Sequence, residues 1–147
     1  MSQGYKFSLQ KLLEIREEKE EESKRNFTES QKAMETTKEQ LEKLQNSYEE
    51  YKGIKPGEDV IYQKVKRNYL MALENGIKEK SKELEFRKKD LEFKRNDLKK
   101  KQIDRKTVQS LKEKQYAAFI KEQNRIEQLN NDEFALYGYV RKEKGGE

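Results

Sequence analysis

The sequence contains no cysteine, no histidine, and a single proline in 147 residues. Without cysteine there is no disulfide frame and no thiolate chemistry. Without histidine there is no imidazole base, no histidine-containing triad and no histidine metal ligand. Neither a GxxxxGK[ST] nor a GxGxxG loop occurs, so the chain lacks the patterns that cradle a nucleotide phosphate. Its many carboxylates sit on helical patterns whose faces are solvated, where pKa values have no cause to move far. The expectation is a non-enzyme with no cofactor, no bound metal and no small-molecule substrate. There is no run of about 18 apolar residues, and the start MSQGYKFSLQ lacks the apolar core of a signal peptide. A soluble cytoplasmic protein is expected.

Apolar residues are scarce as well: 31% of the chain is hydrophobic and 43% is charged. Globular domains run closer to about half and a quarter. A thick core is excluded, which leaves disorder or long helices. The composition leans on Lys, Glu, Leu, Gln and Arg, all strong helix formers, and one proline interrupts little. Periodicity decides between the two.

The strong break is Gly53-Ile54-Lys55-Pro56-Gly57-Glu58-Asp59, turn punctuation followed by a capping Asp. Ser8 is a fair N-cap, with Phe7 and Leu12 placed as a hydrophobic staple. The reading is one coiled-coil domain over 1–147: helix one from about 8 to 52, a turn at 53–58, helix two from about 59 to 141, and a polar tail at 142–147. At 1.5 Å per residue the helices would measure roughly 65 Å and 120 Å. In helix one, Leu13, Phe27, Met34, Leu41 and Tyr48 share a seven-residue register, with Leu9, Leu44 and Tyr51 on the companion position. In helix two, Leu70, Ile77, Leu84, Leu91 and Leu98 do the same, and Phe119 and Ile126 resume the register. Sustained sevenfold spacing predicts a supercoil. The fold class expected is all-α, a long two-helix antiparallel coiled-coil hairpin with an overhanging C-terminal helix. Arg16, Glu20, Lys80, Arg87, Lys94 and Lys101 fall in the seam, which predicts marginal stability.

A symmetric reversal at Pro56 would set Leu44 near residue 67 and Glu17 near residue 94. Glu17, Glu18, Glu20, Glu21 and Glu22 would then face Arg87, Lys88, Lys89, Lys94 and Arg95, a pattern that fixes register more than stability. Helix one would end opposite about residue 103. Everything from about Asp104 would lack an intramolecular partner, yet that stretch carries Val108, Leu111, Phe119, Ile126, Leu129, Phe134, Leu136, Tyr137 and Tyr139. An apolar stripe of this kind docks elsewhere, or turns back onto its own stem. Phe86 and Phe93 point away from the seam, either as a second docking strip or lying flat over Lys and Arg stems. The basic stretch from Arg87 to Lys114 permits phosphate contacts, but acids and Gln are interspersed and no base-reading motif accompanies it. A membrane-surface helix fits less well, since the apolar faces are narrow and seam-like.

The opening Tyr5-Lys6-Phe7-Ser8-Leu9-Gln10-Lys11-Leu12-Leu13-Glu14-Ile15-Arg16-Glu17 resembles the start of the FliJ family of bacterial flagellar export proteins. The stretch from Glu122-Gln123-Asn124-Arg125 through Asp132-Glu133, then Ala135 to Lys142, is similar to that family's C-terminal end. The resemblance spans essentially the whole chain. It implies a stalk like that of rotary ATPases, entering the hexameric flagellar export ATPase ring and linking it to the membrane export gate. It also implies a part in escorting export chaperones, and a place at the inner-membrane base of the flagellar basal body. Ring-binding residues implied are Leu9, Leu12, Leu13, Arg16, Phe119, Arg125, Ile126, Leu129, Phe134, Leu136 and Tyr137. The resemblance also carries a gate-binding face of Gln40, Leu44, Tyr51, Tyr69, Leu73, Gly76 and Lys80. Here Ser47 departs from the family's aromatic and Gly76 replaces a residue with a side chain; Leu44, Tyr51 and Leu73 also read as plain seam positions. A virulence-type injection stalk and a basic scaffold binding nucleic acid remain as alternatives.

Overall fold

The computed structural model describes residues 4–145 and contains two long helices, with no strand among the described residues. Helix α1 spans Gln10–Tyr51 and α2 spans Val60–Lys144. Helix α1 starts two residues later than Ser8, with Gln10 N–H donating to the Phe7 carbonyl at 3.1 Å. At the other end α2 runs to Lys144, because Arg141, Lys142 and Lys144 complement its dipole and no proline lies within it. Gly53 and Gly57 both adopt positive φ, at 83° and 86°, which glycine tolerates without the Cβ clash.

The chain divides into two compact units, one of Met1–Glu18 with Ile103–Glu147 and the other of Lys19–Gln102. In the second unit the helices pack as a hairpin. Ser23 Oγ donates to Asp97 and Ser30 Oγ to Asp90, both at 2.9 Å, and Tyr48 Oη donates to Glu74 at 3.0 Å. Burial repeats at the expected spacing: Glu20, Ser23, Ser30, Thr37 and Leu41 on α1, with Lys66, Leu73 and Leu91 on α2. The small hydroxyl residues at the seam leave room for long basic stems, and Arg87 and Lys94 share a crevice with Asn26, Ser30 and Ala33.

The register differs from the symmetric expectation by about nine residues. Leu44 lies beside Gly76, not residue 67, and Tyr51 stacks edge-on against Tyr69 with centroids 5.5 Å apart. The cause is the connection. Residues 52–59 run alongside the start of α2, held by the Lys66 ammonium, which donates to the Gly53 carbonyl at 2.6 Å and pairs with Glu58 at 2.8 Å. The charge match shifts accordingly: Glu22 shares a crevice with Lys101, where Arg87 to Arg95 were expected to face the acidic run.

The first unit corrects a second expectation. Residues 104–119 are not unpartnered. Arg16 donates to the Asp104 carbonyl at 2.7 Å, Lys112 to the Gln10 side chain at 2.7 Å, and Tyr5 Oη reaches the Lys112 carbonyl at 3.4 Å. Phe7, Leu13 and Val108 form a buried cluster with Tyr5 packed on it. The buried companion of Phe7 is thus Leu13, while Leu12, its expected staple partner, lies at the surface. The non-helical residues before α1 lengthen the pairing by laying aromatic side chains along α2.

Candidate protein-docking surfaces

The C-terminal end of α2 carries most of the residues read as ring-binding. Every residue from 124 to 145 is exposed. Ile126, Leu129, Leu136, Tyr137 and Val140 recur at helical spacings of three, four and seven, so they share one stripe. Phe134 lies beside it, 75% exposed. Arg125 is clamped by the Glu122 carboxylate at 3.0 and 2.6 Å. This hydrogen bond lowers the Glu122 pKa and raises that of Arg125. The clamp holds the guanidinium along the helix at the stripe's start.

The other ring-binding residues behave differently. Leu13 is buried against Phe7 and Val108, so it supports the unit and cannot meet a partner without opening it. Arg16 is engaged with the Asp104 carbonyl. Phe119 is half-buried, its ring 5.5 Å from that of Tyr5, whereas Leu9 and Leu12 remain partly exposed. Sequence reasoning missed Tyr5, whose ring also meets Tyr116 edge-on at 5.3 Å, together with the exposed Ile15, Ile120 and Val140. Tyr5 lies before the first helical turn, where heptad counting has no register to offer.

The face read as gate-binding divides in two. Leu73 is buried, and Leu44 and Tyr51 are half-buried in hairpin contacts, which is the plain seam role. Gln40 and Tyr69 are exposed, and Lys80 is half-buried in an ion pair with Glu83 at 2.9 Å. That hydrogen bond from Lys80 is the largest cause of a lowered Glu83 pKa. A Cβ on Gly76 would meet Leu44 Cδ1 at 3.5 Å, an ordinary van der Waals contact. Helix packing therefore does not demand glycine there. Phe86 and Phe93 are both about two-thirds exposed, and the Lys94 ammonium lies 5.8 Å from the Phe93 centroid without covering the ring.

Residues 5–144 match the sequence profile of the family described as Flagellar FliJ protein, which covers nearly the whole chain. The chain belongs to the FliJ family. A comparison with individual curated proteins finds no match.

Proposed function

With FliJ-family membership as the premise, and hence a place among the components of flagellar export, we propose that this chain is the stalk of the export ATPase. It does no chemistry. Its C-terminal helix, overhanging an antiparallel coiled coil, enters the pore of the hexameric ATPase ring, promotes ring assembly and favours particular ring conformations by contacting them unequally. Gln40, Tyr69 and Lys80 meet the cytoplasmic part of the export-gate membrane protein. Escort of empty export chaperones belongs to the same reading, as does a cytoplasmic position against the inner-membrane base of the flagellum.

One observation carries the proposal: the apolar stripe from Ile126 to Val140 on a helix whose every residue past 123 is exposed. A stripe of this size, left in water, marks a surface meant to be covered. The test is the ATP hydrolysis rate of the cognate export ATPase with and without this protein at physiological salt. A truncation after Gln123 spares the pairing of residues 104–119 and removes only the stripe. Stimulation by the full chain that the truncation abolishes supports the stalk. A folded full chain that leaves the rate unchanged overturns it.

A further inference from the structure

The hairpin tip holds an apolar surface that neither the seam nor the stalk reading uses. Ile54, Val60, Ile61 and Val65 are each more than 60% exposed, and Tyr62 is about half exposed. At about 100° per residue, the four on α2 spread over about 200° of the helix circumference. A docking groove for another helix takes a narrow stripe. A collar this wide suits insertion into a continuous apolar medium. The exposure follows from the register: α1 ends at Tyr51, opposite Tyr69, so the first two turns of α2 are backed only by residues 52–59.

The charges around the collar are asymmetric. Lys64 and Arg67 have no acidic partner among the described residues, while the nearby Glu58 is sequestered by Lys66. Asp59 precedes the α2 N-terminus, whose dipole offsets its charge. Between the connection and α2 lies an open cleft of about 420 Å³, lined by Ile54, Val60 and Leu70, by the paired Glu58 and Lys66, and by the exposed Lys64 and Arg67. An apolar floor with a cationic rim is the complement of an amphiphile with an anionic head. No helix among the described residues is long and apolar enough to cross a membrane, so any such contact lies at the surface.

We propose that the hairpin tip seats on an anionic phospholipid surface, with Ile54, Val60, Ile61 and Val65 entering the headgroup boundary and Lys64 and Arg67 meeting lipid phosphates. The narrow, seam-like faces read from the sequence hold for the shaft and fail at the tip.

The experiment is co-sedimentation of the full chain with vesicles of phosphatidylcholine alone or with about one third phosphatidylglycerol. The expected result is partitioning at least about tenfold higher on the anionic vesicles. I61S/V65S, whose side chains face solvent, should lose about tenfold of that binding. K64E/R67E should remove the preference for phosphatidylglycerol. The charge-matched control K99E/K100E, away from the tip, should retain most of the binding, and circular dichroism should show every variant helical. No binding by the helical wild type overturns the proposal. So does an equal loss in K99E/K100E, which would mean general attraction of a basic chain to anions. Since I61S/V65S leaves the C-terminal stripe intact, its stimulation of the ATPase should stay unchanged, separating failure here from failure of the stalk reading.

Discussion

The Lys66 ammonium reaches from the second turn of α2 back to the Gly53 carbonyl, 2.6 Å away, and pins the connection against the helix it precedes. Both Lys66 and its ion partner Glu58 are largely withdrawn from water. Lys66→Met should release residues 53–58 and strand the Glu58 carboxylate without its donor. The expected outcome is a lower Tm and faster proteolytic cleavage at the connection, with the rest of the hairpin retained.

The same pair predicts a pH response. The hydrogen bond from Lys66 holds the Glu58 carboxyl below its ordinary value. A depressed carboxylate contributes its stabilisation in full above the ordinary carboxyl range and loses it as pH falls through the lowered value. Thermal melts from neutral pH down through the carboxylate range should therefore show a decline in Tm. Glu58→Gln should flatten that part of the profile; an unchanged slope would put the acid sensitivity elsewhere.

Register can be read directly, because the chain has no native cysteine. Ser23 and Asp97 touch through side chains at 2.9 Å, so S23C/D97C should close a disulfide under mild oxidation. L44C/R67C, paired under the symmetric reversal, should stay reduced, since Leu44 lies beside Gly76. The product is scored by altered migration on non-reducing gels, at a protein concentration low enough to exclude crosslinked dimers.

The two long helices, their break and the seam from Leu70 to Leu98 were legible because each rests on local composition or on a repeat that only helices satisfy. The nine-residue shift in register was not. A heptad pattern marks which face of each helix is buried but not how far one helix slides along the other, and the slide depended on how residues 52–59 travel, which Lys66 decides from a heptad position that looks merely charged. The pairing of Tyr5 with Tyr116 and Phe119 was hidden for a related reason, since extended residues beside a helix follow no helical period. Leu13 and Leu136 look alike in the sequence, yet one is core and the other exposed.

Gly76 separates packing from recognition. A methyl group at this position meets Leu44 at ordinary contact distance, and alanine favours a helix interior by about 1 kcal/mol over glycine. Gly76→Ala should therefore raise stability by up to about that amount in urea melts. If the stabilised variant also binds the export-gate protein more weakly, glycine is kept for a partner's close approach. Unchanged binding would leave the glycine without a role at that surface.

Leu13 and the pair Leu136 and Tyr137 allow the ring-docking surface to be told from its support. Leu13 is 3% exposed and packed on Phe7 and Val108, so Leu13→Ala opens a cavity and should cost about 2–5 kcal/mol. Leu136 and Tyr137 are each more than 60% exposed, so L136S/Y137S should shift Tm little while abolishing stimulation of the export ATPase. Leu13→Ala, assayed well below its own Tm, should still stimulate, because the stripe it leaves behind is unaltered. The reverse result, with stimulation lost in Leu13→Ala and kept in L136S/Y137S, would move the contact to the N-terminal unit core and away from the C-terminal stripe.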